Sequence, residues 1–192
     1  MKKILVTGGL GYIGSHVVVE LQIIGFEVII IDNLSNSSLS VIDGITKTSG
    51  ITPVFENLDL KNKDQVFSFF QRHFDIVGVI HFAAHKAVGE SVNDPLKYYH
   101  NNINSLVYLL EGLNRLDAPK LIFSSSCTVY GQADHLPITE DAKIKDAESP
   151  YGNTKKMGEQ IISDVCKSDS KLEAIALRYF NPIGAHELAH IG

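Results

Sequence analysis

Short apolar runs without polar alternation recur along the chain: Ile4-Leu5-Val6, Val28 to Ile31, Ile76-Val77 with Val79-Ile80, Leu121-Ile122-Phe123 and Ala174 to Leu177. Val54-Phe55 is a weaker sixth. Such runs predict strands covered on both faces, as in parallel sheets. Between them, apolar residues fall at helical spacing. Ile13, Val17, Leu21 and Ile24 stand at i, i+4, i+8 and i+11, and Val66, Phe69 and Phe70 at i, i+3 and i+4. Residues 94–116 and 151–166 also read as helices, and Pro95 suits a first turn. The order is β-α-β-α-β-α-β-α-β-α-β. With right-handed crossovers this predicts an α/β fold, a doubly wound parallel sheet of about six strands. Residues 131–150, rich in Pro, Asp, Glu and Lys, read as a surface loop and not a domain boundary.

Composition narrows the classes. The 192 residues suit one domain, and 44% hydrophobic with 20% charged residues is ordinary for a globular chain. Disorder, collagen and coiled coil are excluded on that ground. The charge balance of 17 − 22 = −5 argues against a nucleic-acid partner. No apolar run approaches the ~18–20 residues of a membrane span, so no membrane partner is expected. Met1-Lys2-Lys3 resembles the start of a leader, but the apolar run after it breaks at Thr7-Gly8-Gly9. That is too short for a secretory segment, so the expected compartment is the cytoplasm. Cys127 and Cys166 lie far apart and form neither a disulfide framework nor a metal pair, which reads as two reduced thiols.

The first strand runs into Thr7-Gly8-Gly9-Leu10-Gly11-Tyr12-Ile13-Gly14. This holds G-x-G-x-x-G at Gly9, Gly11 and Gly14, and G-x-x-G-x-x-G at Gly8, Gly11 and Gly14. Glycine supplies the positive φ of a tight turn and lets backbone approach a pyrophosphate. The helix that follows offers free N–H groups to the same anion. Position after a strand and before a helix is the context of a Rossmann dinucleotide loop. The second strand ends at Asp32, eighteen residues beyond Gly14. A carboxylate there accepts hydrogen bonds from both ribose hydroxyls and repels a 2′-phosphate, so NAD is expected and not NADP.

Tyr151 and Lys155 are four apart and share one face if helical. A tyrosine near ~10 is too weakly acidic to act as a base at neutral pH. A nearby ammonium, with a nicotinamide cation, favours the phenolate. That phenolate removes a hydroxyl proton as hydride leaves the same carbon. Ser126 closes the fifth strand, at the end where doubly wound sheets bind ligands, and so can hydrogen-bond a substrate oxygen.

Gly8, Gly11, Gly14, Ser126, Tyr151 and Lys155 together resemble the extended short-chain dehydrogenase/reductase superfamily. Four longer stretches are similar to the UDP-glucose (UDP-galactose) 4-epimerases within it: TGGLGYIGSH from Thr7 to His16, VIHFAAHKAVGES from Val79 to Ser91, FSSSCTVYG from Phe123 to Gly131 and LRYFNPIGAH from Leu177 to His186. The resemblance covers essentially the whole chain in register. It implies that NAD stays bound while Tyr151 takes the proton of the sugar 4-hydroxyl and C4 gives up hydride. The 4-keto sugar then turns, and hydride returns to its other face. Lys155 would lower the Tyr151 pKa and hold the nicotinamide ribose, and Ser126 would hold the substrate hydroxyl. By the same match, Tyr12, Ile13, Asp32, Asn33, Leu34, Ser35, Asn36, Ser37, Asp59, Leu60, Phe82, Ala83, Ala84, His85, Lys86, Asn101 and Phe180 line the NAD site. Lys86 and Asn181 match positions at the sugar nucleotide. UDP-galactose and UDP-glucose are the implied partners, with a homodimer in the full-length family.

Ala84 and His85 stand where many relatives carry Gly-Leu, and Cys127 replaces a usual alanine. The 4,6-dehydratases of the superfamily carry an acidic pair near this serine, and Ser126-Cys127-Thr128 has none. Family members run on into a smaller C-terminal domain that grips the UDP-sugar. Residues 1–192 therefore read as the NAD-binding half, with the substrate domain missing and an uncovered face that favours self-association. Two rival readings stay open: a non-catalytic NAD-binding fragment, and another NAD-dependent sugar-nucleotide epimerase. His186-Glu187-Leu188-Ala189-His190 spells H-E-x-x-H, but Pro182 and Gly184 precede it, and a zinc peptidase needs a long helix there. His81 and His85 read as pocket lining, so no metal is expected.

Overall fold

The computed structural model describes residues 1–168 and 171–191. In chain order the elements are β1 (Lys3–Thr7), α1 (Tyr12–Ile23), β2 (Glu27–Asp32), α2 (Ser40–Ser49), β3 (Val54–Asn57), α3 (Lys63–Arg72), β4 (Ile76–His81), α4 (Val88–Asn93), α5 (Pro95–Leu113), β5 (Lys120–Ser126), α6 (Pro150–Lys167) and β6 (Glu173–Tyr179). A single 3-10 turn, Cys127–Tyr130, leaves β5. All strand pairs are parallel, in the order β3-β2-β1-β4-β5-β6. The chain reverses its direction of progress between β1 and β4, which opens a crevice above their C-terminal ends.

Strand alternation sorts the core into two layers. Leu5, Ile29, Ile31, Val79, Leu121 and Phe123 face α3, α5 and α6, where Phe69, Phe70, Leu106, Leu109 and Ile162 fill the gap. Val6, Val28 and Ile30 face α1 and α2, against Val18, Val19 and Ile45. Helix starts follow local chemistry. Asp94 accepts from Lys97 N and Ser149 from Gly152 N, each with proline in the first turn behind it. Asn62 caps α3 by accepting from Gln65 N.

The sheet is not covered evenly, contrary to the expectation drawn from the apolar runs. Val6, Ile80, Ile122 and Ile175 form one row across four strands by register. Val6 is fully buried beneath the helices of its face, Ile80 and Ile122 are half-buried, and Ile175 is 61% exposed. The reason is geometric: α1 and α2 pack over β1 and β2 and do not reach β5 and β6. Residues 131–149 form the expected irregular loop. Helices α2 and α4 complete crossovers whose helical segments the apolar spacing does not locate.

Candidate active site

The glycine turn is set by sterics. Gly8 has φ +68°, and a Cβ there would lie 2.7 Å from Ala83 N. A Cβ on Gly14 would lie 2.2 Å from the carbonyl oxygen of Gly8. Gly11 N donates to that same carbonyl at 3.1 Å. Gly11 begins α1 without a capping side chain, so the first-turn N–H groups are not taken up by a cap. Asp32 ends β2 beside this loop. Its carboxylate accepts from Leu10 N at 3.3 Å, Leu34 N at 3.0 Å and Ser37 Oγ at 2.8 Å. Leu34, with φ 59°, and Ser37 therefore brace Asp32 and do not line the cleft, unlike the other expected residues.

That cleft, of about 540 Å³, runs along the crevice. Its walls carry Gly8, Gly11, Tyr12, Ile13, Gly14, Asp32, Asn33, Ser35 and Asn36 on the β1–β2 side. Asp59, Leu60, Phe82, Ala83, Ala84, His85, Lys86 and Asn101 follow. Ser126, Tyr151, Lys155, Phe180 and Asn181 close the far side. A second pocket adjoins it where Asn33 donates to Asp59 at 3.3 Å.

Lys155 is buried, donates to the Ser124 carbonyl at 2.7 Å and lies 5.0 Å from the Phe123 ring centre. Burial lowers its pKa to about 8. Its ammonium stands 5.9 Å from the centre of the Tyr151 ring. Burial raises the Tyr151 hydroxyl above its ordinary value, while a hydrogen bond with Ser126 pulls the other way and Cys127 adds to the rise. The ammonium is spent on a strand carbonyl. Ser126 Oγ also accepts from Thr128 Oγ1 at 3.0 Å, which fixes its rotamer.

One buried polar residue was not anticipated. Asn102 accepts from His85 N at 2.9 Å and donates to both His85 O and Thr154 Oγ1 at 3.0 Å. It ties the loop after β4 to α6, one residue from Lys155. Asn102 falls on the same helical face as Tyr98, Leu106 and Leu109, and a polar residue on that apolar face was the available signal.

His85 lines the cleft as expected, but His81 does not: it is buried at the end of β4, where it bonds Thr7 Oγ1 at 2.7 Å and stacks on Phe123. Burial, with Lys155 nearby, lowers its pKa to about 3. The unfolded chain takes up this proton near ~6.5, so the folded state loses about 1.4 kcal/mol per pH unit from this group as pH falls between the two values. His81→Asn is expected to flatten the fall in urea midpoint between about pH 6 and pH 4.5. An unchanged slope in that variant would refute the buried neutral imidazole. Residues 186–190 form turns and no helix, so the two imidazoles of H-E-x-x-H do not share a helical face. Among the described residues no three His, Cys, Asp or Glu side chains are grouped to hold a metal, and no helix is long and apolar enough to cross a membrane.

The family model of the NAD dependent epimerase/dehydratase family matches residues 4–191. The chain belongs to that family. Within the NAD dependent epimerase/dehydratase family, the UDP-glucose 4-epimerase of Neisseria meningitidis serogroup C is 48% identical over 192 residues, which is 100% of this chain and 56% of that protein. Among solved structures, the UDP-glucose 4-epimerase of Bifidobacterium longum in complex with NAD+ and UDP superposes with a TM-score of 0.96 at 41% identity, covering 100% of this chain and 57% of that one. The enzyme of Stenotrophomonas maltophila, with bound NAD and formylated UDP-arabinopyranose, gives 0.94 at 44%, covering 100% and 56%. The chain therefore spans about half the length of the family relatives it matches.

Proposed function

We propose that this chain carries the NAD site and the proton-transfer residues of a UDP-hexose 4-epimerase that interconverts UDP-galactose and UDP-glucose through a 4-keto sugar. The observation that supports it most is that Ser126, Tyr151 and Lys155 share one cleft with the glycine turn and Asp32. The residues fit NAD. Gly8 and Gly14 leave a cradle that any Cβ would fill, and Asp32 is braced at its rim. NAD, when bound, supplies a hydride acceptor that can return the hydride. Asp32 would hold the adenine ribose, and the N–H groups at the start of α1 the pyrophosphate.

Tyr151 would take the proton of the sugar 4-hydroxyl at its phenolic oxygen and give it back after the keto sugar turns. At neutral pH burial keeps Tyr151 protonated, so base function needs positive charge nearby. Lys155, near about 8, is charged at pH 7 and supplies it. Ser126, held by Thr128, would orient the sugar hydroxyl, and Asn181 the sugar nucleotide.

The test is conversion of UDP-galactose to UDP-glucose by the 192-residue chain with no added NAD. Product, together with one bound NAD per chain, is the expected result. The half-length match favours a second reading, an NAD-binding unit without turnover of its own. Bound NAD without product from a folded sample would select that reading, and product from another UDP-sugar alone would redirect the substrate.

A further inference from the structure

One charged pair beside the cleft has no task in the scheme above. Glu159 lies on α6 four residues beyond Lys155 and eight beyond Tyr151, so the three side chains share one face. Its carboxylate accepts from Ser125 Oγ, from Arg178 Nε at 2.9 Å and from Arg178 Nη2 at 2.8 Å. Arg178 also donates to the Tyr130 hydroxyl at 3.0 Å, with its guanidinium 4.9 Å from that ring centre. The Glu159 and Arg178 side chains are only 13% and 23% exposed. Ser125 and Arg178 are register partners across β5 and β6. The next residues along are Ser126 on one strand, and Tyr179 leading to Phe180 and Asn181 on the other.

We propose that the Glu159–Arg178 pair is a positioning device, which locks the exits of β5 and β6 to the face of α6 that carries Tyr151 and Lys155, and so sets Ser126 against Tyr151. Its geometry suits that task better than general stabilisation. A bidentate guanidinium–carboxylate fork fixes both distance and orientation. A desolvated ion pair adds little net stability over apolar packing of the same shape. Glu159 joins three segments through one carboxylate: its own helix, the strand before Ser126 and the strand before Asn181. Tyr130, at the end of the 3-10 turn after Ser126, is tied in by the same arginine.

The proposal rests on the catalytic reading of Tyr151, but its test does not require turnover. In the full chain, Glu159→Leu with Arg178→Met removes the pair and leaves no buried charge unpaired. This double variant is expected to keep its melting temperature within a few degrees of the parent, at about 2–4 °C per kcal/mol for this size. It is also expected to lose the nuclear Overhauser contact between the Tyr151 ring and the Ser126 β protons, and to displace the Tyr151 ring carbon signals. If the parent turns over, kcat is expected to fall about 100-fold, with little change in KM for UDP-galactose. Glu159→Gln, which keeps an acceptor for Ser125, provides the same spectra should the double variant not fold. A folded variant whose Tyr151–Ser126 contact and ring signals match the parent overturns the proposal. Absence of turnover in the parent overturns only the catalytic reading.

Discussion

Tyr151→Phe is expected to reduce epimerisation by at least about 10³-fold while leaving NAD affinity within a few-fold of the parent. The substitution removes one oxygen. It leaves the ring over which the Lys155 ammonium lies, the Ser149 cap that starts α6 and the Lys155–Ser124 bond. What goes is the only group in the scheme that accepts the sugar proton. Ser126 cannot substitute, because its oxygen already accepts from Thr128 and its hydroxyl is a far weaker base than a phenolate. The check pairs two measurements on one preparation whose parent is active: conversion of UDP-galactose, and the stoichiometry of protein-bound NAD. Undiminished conversion with Phe at 151 removes Tyr151 from the base role. Loss of NAD with loss of conversion assigns Tyr151 to cofactor binding instead.

Gly14→Ala is expected to have the largest effect on NAD binding of any single methyl group added to the chain. The added Cβ meets the Gly8 carbonyl oxygen at 2.2 Å and the Gly9 Cα at 2.8 Å. Both are backbone, so no side chain can swing aside, and either the turn opens or α1 moves away from it. Overpacking of this kind costs about 1–3 kcal/mol in stability. The displaced turn also forfeits the N–H groups aimed at a pyrophosphate, so NAD affinity should fall by about 100-fold or more. Gly11→Ala, whose Cβ would sit 3.2 Å from the same carbonyl, should fall between this variant and the parent. Gly89→Ala, with open space around it, should bind NAD normally. Calorimetric NAD titration of the three variants decides the point. Equal affinities at positions 14 and 89 would mean that the turn does not cradle the cofactor.

The strands were legible because each shows an apolar run that ends at a turn or a polar residue, although those of β3 and β6 are largely open to solvent. Helices α3, α5 and α6 were legible for the complementary reason, since their apolar residues repeat at three and four; in α1 the repeat Ile13, Val17, Leu21 and Ile24 marks the helix but not its buried face, which carries Val18, Val19 and Gln22 while Ile24 is exposed. Helix α2 was implied by the alternation but not located. Its sequence SVIDGITKTS buries Ile45 and Gly44, and Gly44 is covered by residues 190 and 191 from the other end of the chain. Short helix α4 exposes Val88 and Val92, so it has no inward stripe to detect. In the site, residue types announced the glycine turn, Asp32, Tyr151 and Lys155. What sequence could not supply was who holds whom. That Lys155 spends a hydrogen bond on Ser124, or that Glu159 meets Arg178 across 19 residues, depends on the distance between α6 and the strands. Spacing along one helix says nothing of that distance.

The uneven cover of the sheet divides the cleft into a firm half and a loose half. Amide protons of β1 and β2 lie under helices on both faces, whereas β6 has one partner strand and Ile175 and Leu177 open to water. Local opening of β6 therefore costs less than opening of β1 or β2. Such an opening carries off Arg178, Phe180 and Asn181 but leaves the glycine turn and Asp32 in place. The glycine turn and Asp32 thus persist through fluctuations that dissolve the wall carrying Phe180 and Asn181.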